Sequence, residues 1–354
     1  MKIIQVIPVF SMGGAEIMCE TLTYELKKLG HEVIAVSLYS IETPITERLK
    51  NAGVDVRFLG KKRGLDFSIF SKLKKLFKHE NPDAVHSHNN ASQYAFPIAK
   101  QMGIKMVHTV HSIATKELPK SSRLINGYFF KKHAAVPVAL SEKVQKTIQE
   151  EYKMSTDNIP VVFNGIDLSR CTPKESYEFE DTFKVVHVGR FCDVKNHIGL
   201  VSAFELFHRE YANTELHLIG DGELRNSVET IVREKNLEEC IIFHGLQSDV
   251  HEFLNKMDVF TLPSIYEGIP MTIIEAMGTG LPVVATDVGG IPDMITNGEN
   301  GILTAVDPYE LAQAYAELYN NRELREKLGQ NAIMRANAFS STEMAKRYFE
   351  IYEQ

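Results

Sequence analysis

Two carboxylates, Glu267 and Glu275, stand with seven residues between them in "YEGIPMTIIEAMG" (266–278). The stretch before them, "DVFTLPS" (258–264), reads as a strand, and "MTIIEAMGTG" after them has helical periodicity ending at glycines. The strand-to-helix turn therefore spans residues 264–271 and sets Gly268, Ile269, Pro270 and Met271 at a helix N-terminus. Free amides and the helix dipole converge there and favour an anion such as phosphate. Pro270 suits the first helical turn, where an N–H would have no intrahelical partner. Carboxylates are repelled by phosphate but accept hydrogen bonds from hydroxyls, and Glu275 lies about 6 Å further along the axis than Met271. A diphosphate with a sugar on each side fits such a turn, one carboxylate serving each sugar. On spacing alone, helix capping by Glu267 and a solvated Glu275 explain the pair equally well.

Two cations follow another strand in "VGRFCDVKN" (188–196). The planar fork of Arg190 and the point charge of Lys195 together make a clamp for a leaving diphosphate. Without their neighbours they read as two surface cations. Such a clamp can replace a metal, and no D-x-D stands at a strand end. Near the start, Gly13 and Gly14 let backbone approach phosphates closely, although a lone Gly-Gly is more often a tight turn. The pattern is not G-x-G-x-x-G, which argues against a dinucleotide oxidoreductase. His86 and His88 follow one strand, and His108 and His111 another. No carboxylate or cysteine is placed to complete a zinc site with them, so neither a metal nor a cofactor is expected.

The elements that must hold these groups form two halves with one grammar. "KIIQVIPVF", a helical pattern closed by Gly30, and "HEVIAVSLY" make a βαβ opening. Apolar runs recur at 83–88, 105–112 and 135–141, and the pattern restarts at 183–190, 215–223, 240–245, 258–264 and 281–287. Continuous apolar strands between helical segments imply parallel sheets covered on both faces. Two doubly wound α/β domains follow, 1–165 and 166–339, joined by the polar stretch 164–181.

A chain of 354 residues, 44% hydrophobic and 24% charged, suits two such domains and excludes a disordered protein. It has no apolar run of membrane-spanning length. "MKIIQVIPVF" reads as a buried strand in preference to a signal peptide. Cys19, Cys171, Cys192 and Cys240 are scattered, which points to a reducing cytoplasm. Residues 1–165 carry a net +8 and the remainder −15, for −7 in all, so the halves are expected to meet different partners. The basic pieces 71–80 and 121–133 read first as amphipathic helices against a core. Phe129, Phe130, Lys131 and Lys132 make the second piece the better candidate for a membrane surface.

Taken together, Glu267…Glu275, "EAMGTGLPVVATDVGGIPDMI", "VGRFCDVKN", "NGID" (164–167), "IGDGELR" (219–225), "GGAE" (13–16) and "DAVHSH" (83–88) resemble the retaining glycosyltransferases of family 4. The resemblance covers nearly the whole chain. It implies the GT-B architecture, two Rossmann-like domains facing a central cleft, and catalysis without a divalent ion. It assigns Glu275 to the ribose hydroxyls of a nucleotide-diphosphate sugar, most often UDP-linked, and Glu267 to the donor sugar. The Gly268–Met271 amides would hold the sugar or β-phosphate, Arg190 and Lys195 the diphosphate, and backbone near Leu246 with side chains near Arg225 the base. Gly13 and Gly14 would approach the donor phosphates. His111 would lie beside the reacting sugar, while His88 and Asn89 would line the acceptor pocket, with His86 and His108 left structural.

The acceptor implied is a glycan or lipid-linked hydroxyl, bound by loops 40–65, 88–95 and 112–125, in surface polysaccharide synthesis. The enzyme would act in the cytoplasm, with peripheral contact at the inner face of the membrane, and nucleic acid is no partner. The 340–354 segment would pack back on the first domain. A sugar-nucleotide epimerase of the 2-epimerase type and a non-catalytic sugar-nucleotide sensor are the competing readings.

Overall fold

The computed structural model describes residues 1–11, 13–247 and 249–354. The chain divides into two compact units, Met1–Gly165 with Ser341–Gln354, and Ile166–Ser340.

Among the described residues, the first unit is built on a six-stranded parallel sheet: β1 Lys2–Ile7, β2 Glu32–Ser37, β3 Asp55–Phe58, β4 Ala84–His88, β5 Lys105–Val110 and β6 Val136–Ala139. Its order is β3-β2-β1-β4-β5-β6. β1 is buried on both faces, Ile3, Ile4, Val6 and Ile7 all lacking exposure, which is why it reads as an apolar run broken only at Gln5. One face is covered by Leu22 and Leu26 together with Tyr348 and Tyr352 of the final helix, Ser341–Glu353. Phe77, Phe96 and Phe130 fill the other.

The second unit repeats the plan with β7 Phe183–Val188, β8 Thr214–Ile219, β9 Ile241–Gly245, β10 Val259–Leu262, β11 Val283–Thr286 and β12 Ile302–Thr304. The order is β12-β11-β10-β7-β8-β9, again all parallel. In each unit the strand order reverses direction once, between β1 and β4 and between β7 and β10. Ligands bind doubly wound sheets at such switch points, beyond the carboxyl ends of the strands.

Two expectations need correction, and two strands went unread. Phe129 and Phe130 are core residues, 7% and 0% exposed, so they cannot reach a membrane. The exposed face of their helix, Lys120–Lys131, carries Leu124 and Tyr128 instead. The stretch 40–65 is not simply loop, since it holds the helix Pro44–Asn51 and β3. Finally, β3 and β12 are edge strands of four and three residues, short and partly exposed, and left no apolar run to detect.

Candidate active site

At the switch point of the second sheet, the turns after β7 and β10 are tied together. Asn196, in the left-handed conformation at φ 55°, accepts from Gly199 N–H and so caps the helix His197–Glu210. The same side chain donates to the Pro263 carbonyl at 3.1 Å, and Ile265 N–H donates to the Val194 carbonyl at 2.8 Å. These bonds bring Lys195 over Glu267. Lys195 Nζ lies 2.5 Å from Glu267 Oε1, and Ser264 Oγ donates to the same oxygen at 2.6 Å. The two charged side chains are only 19% and 12% exposed, so their attraction is far less screened than a surface pair's.

Glycines set the height of this loop. Gly289 has φ 61°, and a Cβ there would stand 1.8 Å from the Glu267 carbonyl oxygen. Gly290 donates its N–H to that oxygen at 3.2 Å, and a Cβ on it would meet the Gly268 carbonyl at 2.3 Å. On the other side, a Cβ on Gly220 would lie 2.0 Å from the Gly189 carbonyl oxygen. Backbone therefore packs on backbone around the switch point, with no room for a side chain between the turns.

The helix Met271–Gly278 begins where its periodicity does, with Pro270 as its N-cap, not a residue of its first turn, and no side chain capping it. Met271 is exposed at the mouth of the turn. One turn on, Glu275 is mostly buried, and this desolvation pushes its carboxyl up to about 7. Arg170 opposes the shift and Asp249 adds to it. Arg170 and Asp249 are themselves paired at 2.9 Å. Arg190 is largely exposed and bonds Glu223 at 3.0 Å, while Leu246, just past β9, is 78% exposed.

In the first unit, Gly13 is the N-cap of the helix Gly14–Lys28, again with no side-chain cap. Four histidines follow β4 and β5 or lie within them. His86 bonds Tyr352 OH at 2.7 Å and Thr109 Oγ1 at 2.8 Å, and His108 bonds Ser87 Oγ at 2.8 Å. Both are buried in the sheet, the structural role expected of them. His88 and His111 come together, Nδ1 to Nε2, at 2.9 Å. His111 is further held by its backbone N–H, which donates to Glu117 Oε1 at 2.9 Å. His88 has no exposure and both its ring nitrogens are engaged, so it supports His111 and does not line an acceptor pocket itself. Asn89 follows at φ 50° and opens a short 3-10 turn.

Two family models match in succession, Glycosyltransferase Family 4 over residues 12–170 and Glycosyl transferases group 1 over residues 171–335. The chain belongs to the family-4-like, group 1 glycosyltransferases. Its sequence is 28% identical to the N-acetyl-alpha-D-glucosaminyl L-malate synthase of Bacillus anthracis, over 97% of this chain and 94% of that protein. A UDP-Gal:alpha-D-GlcNAc-diphosphoundecaprenol alpha-1,3-galactosyltransferase of Escherichia coli is 28% identical over 67% of this chain and 66% of its own. The crystal structure of Anabaena HepE in complex with UDP shares the fold with a TM-score of 0.80, at 18% identity and full coverage of both chains.

Of the residues singled out from sequence, this glycosyltransferase brings Lys195 and Glu267 into direct contact and His88 and His111 into another. Arg190 and Glu275 instead face separate partners, Glu223 and the 170–171 segment. Ser264, Asn196, Gly289 and Gly290 escaped attention as functional positions. Their signal was present in "LPS", "KN" and "VGG", but each acts by placing another residue and has no chemistry of its own to announce it.

Proposed function

We propose that this glycosyltransferase moves a sugar from a nucleoside diphosphate sugar, with UDP as the nucleotide, to a hydroxyl of a glycan or lipid-linked acceptor, with retained configuration and without a metal. The observation that carries the reading is the Lys195–Glu267 pair at the switch point, beside the uncapped helix start at Pro270–Met271. A diphosphate arriving there meets a cation and free amides, and Glu267 is released to accept from the transferred sugar. Lys195 and Arg190 take the charge that grows on the leaving diphosphate as the anomeric C–O bond breaks. The acceptor hydroxyl bonds to the anomeric carbon, and its proton passes to the departing phosphate oxygen. Gly268, Ile269 and Met271 supply amides, Glu275 accepts from the ribose hydroxyls, and Leu246 borders the base. In the first unit, Gly13 and Gly14 offer close backbone approach to phosphate. His111 meets sugar hydroxyls and Asn89 the acceptor.

UDP in the HepE crystal and UDP-Gal in the name of the Escherichia coli relative favour uridine. The diphosphoundecaprenol in that relative's name favours a lipid-held acceptor. The helix Lys120–Lys131 supports the same view, since Leu124 and Tyr128 are 69% and 54% exposed beside Lys120 and Lys131. No helix among the described residues is long and apolar enough to cross a membrane.

The test is to supply UDP-glucose, UDP-galactose or UDP-N-acetylglucosamine with a polyprenyl-diphosphate-linked sugar and to read the anomeric configuration by NMR. An α-linked product with one UDP released per transfer is expected, in EDTA as in its absence. A β-linked product would overturn retention. A 2-epimer formed without acceptor would establish the epimerase, and binding without turnover the sensor.

A further inference from the structure

Gln5 is an amide in the middle of β1, fully buried, where its neighbours Ile4 and Val6 are aliphatic. Its backbone is in register with His86 on β4, the strand across the switch point. His88, two residues on, projects to the same face of the sheet. The amide oxygen reaches it there, Gln5 Oε1 to His88 Nε2 being 2.8 Å. Beyond His88 stands His111, the residue read above as meeting a sugar hydroxyl. A buried amide in a central strand has a desolvation cost that must be offset by bonds it makes. The bonds it makes here have a direction.

A neutral imidazole carries one N–H and one lone pair. Burial and the neighbouring histidines hold His88 well below its ordinary range, and burial with His108 brings His111 down to about 3. Both rings are therefore neutral at pH 7. An amide oxygen only accepts, so the proton of His88 sits on Nε2 and its Nδ1 is the lone pair. That lone pair faces His111 Nε2 at 2.9 Å, which must in turn carry its proton on Nε2. The His111 lone pair is thereby assigned to Nδ1. The Cys19 thiol also lies 4.0 Å from Oε1.

We propose that Gln5 is a positioning residue which, through His88, holds His111 as the Nε2–H tautomer and so presents Nδ1 as an acceptor for a substrate hydroxyl. The consequence is a selectivity. An acceptor nitrogen welcomes a sugar hydroxyl and disfavours a carboxylate or carbonyl at the same place, since neither has a proton to give. The inference rests on the reading of His111 as a sugar contact only for that last step. The tautomer itself is a property of the protein without ligand.

Ring nitrogens of the histidines, labelled with 15N, report the tautomer by their shifts and two-bond couplings to the ring protons. In the wild-type protein at pH 7, His111 is expected to show a protonated Nε2 and an unprotonated Nδ1. Q5M fills the same space without an acceptor, and its His111 signals should move towards the average of the two tautomers. Q5E restores an acceptor and should restore the wild-type pattern. A wild-type His111 protonated at Nδ1 would overturn the proposal, as would a Q5M spectrum unchanged from wild type. If neither variant folds, the wild-type spectrum alone decides. UDP-glucose added to the wild type tests the other reading separately: a His111 Nδ1 that does not shift would remove the sugar contact while leaving the tautomer assignment intact.

Discussion

Lys195 and Glu267 neutralise each other at 2.5 Å and with little exposure, although one is read as the phosphate's partner and the other as the sugar's. This contact resolves the difficulty of placing a carboxylate beside a diphosphate. Under the function proposed above, phosphate oxygens would take over the ammonium and the freed carboxylate would turn its acceptor capacity to the sugar. Ser264 Oγ donates to the same carboxylate oxygen at 2.6 Å.

Removing Lys195 should therefore cost twice. K195A is expected to lower turnover by about 3–4 kcal/mol of barrier, or several hundredfold, as loss of a transition-state donor does. It also leaves Glu267 mostly buried without its cation, so the melting temperature should fall, whereas K195A/E267Q should recover most of it. A double variant less stable than K195A alone would show that the pair does not neutralise itself as described.

Gly289 offers a sharper handle on placement. G289A forces a Cβ to 1.8 Å from the Glu267 carbonyl oxygen, so the acidic loop must move. Activity should be lost, with a destabilisation of about 3 kcal/mol, the upper end for single substitutions. G298A has the same backbone strain, φ 75°, but nothing within 4 Å of the new Cβ. It should cost about 1–2 kcal/mol and spare activity. Equal activity losses in the two variants would mean that strain, not displacement of Glu267, is responsible.

The contrast between these residues shows what the sequence could disclose. Apolar runs such as Ile3–Ile7, broken only at Gln5, revealed ten of the twelve strands among the described residues, because a doubly covered parallel strand has no polar face. β3 and β12 stayed hidden because they have four and three residues and are only partly covered, unlike the edge strand β6, whose last three residues are buried. The charged residues of the site were visible because their chemistry is local to a turn. Their pairings were not: Arg190 to Glu223 and Lys195 to Glu267 join loops 33 and 72 residues apart. Likewise Phe129 and Phe130 beside two lysines suggested a surface, but helical periodicity turns both rings inward against Phe96.

Glu275 should make the protein's stability depend on pH. Its folded value, about 7, exceeds its ordinary 4.5, so between those limits the folded state holds more proton than the unfolded one. Stability then falls as pH rises from 4.5 to 7, by up to about 3 kcal/mol, and does not return above that. E275Q abolishes the term, so it should melt higher than wild type at pH 8 and equally at pH 4. A ribose diol is best held by the ionised form, so wild-type affinity for UDP should weaken below pH 7. Calorimetric titration with UDP at pH 6 and pH 8 checks this, and a flat wild-type profile would count against the ribose assignment.

Arg190 is more exposed than Lys195, with a partner, Glu223, that is also exposed. Truncating it should leave stability within about 0.5 kcal/mol, as surface substitutions do. R190A should nonetheless reduce turnover at least tenfold if the guanidinium meets the leaving diphosphate, with the loss in kcat. A change confined to KM would place Arg190 on the ground-state nucleotide only.

The helix Lys120–Lys131 gives the membrane question a definite form. Leu124 and Tyr128 stand out of the surface, and Lys120, Arg123, Leu124, Tyr128 and Lys131 line a cavity of about 440 Å3 beside them. An apolar ridge among cations is what an anionic bilayer attracts, and each cation near such a surface contributes about 1 kcal/mol. The enzyme should therefore co-sediment with vesicles containing phosphatidylglycerol, less with neutral ones, and should dissociate as salt screens the attraction. L124S/Y128S should weaken that binding while leaving UDP affinity and melting temperature near wild type, because neither side chain is in the core. F129S/F130S should unfold the protein instead, since those rings are packed inside it. Vesicle binding that survives L124S/Y128S, or equal recovery with anionic and neutral lipid, would assign the exposed helix face no role at a membrane and favour an acceptor taken from solution.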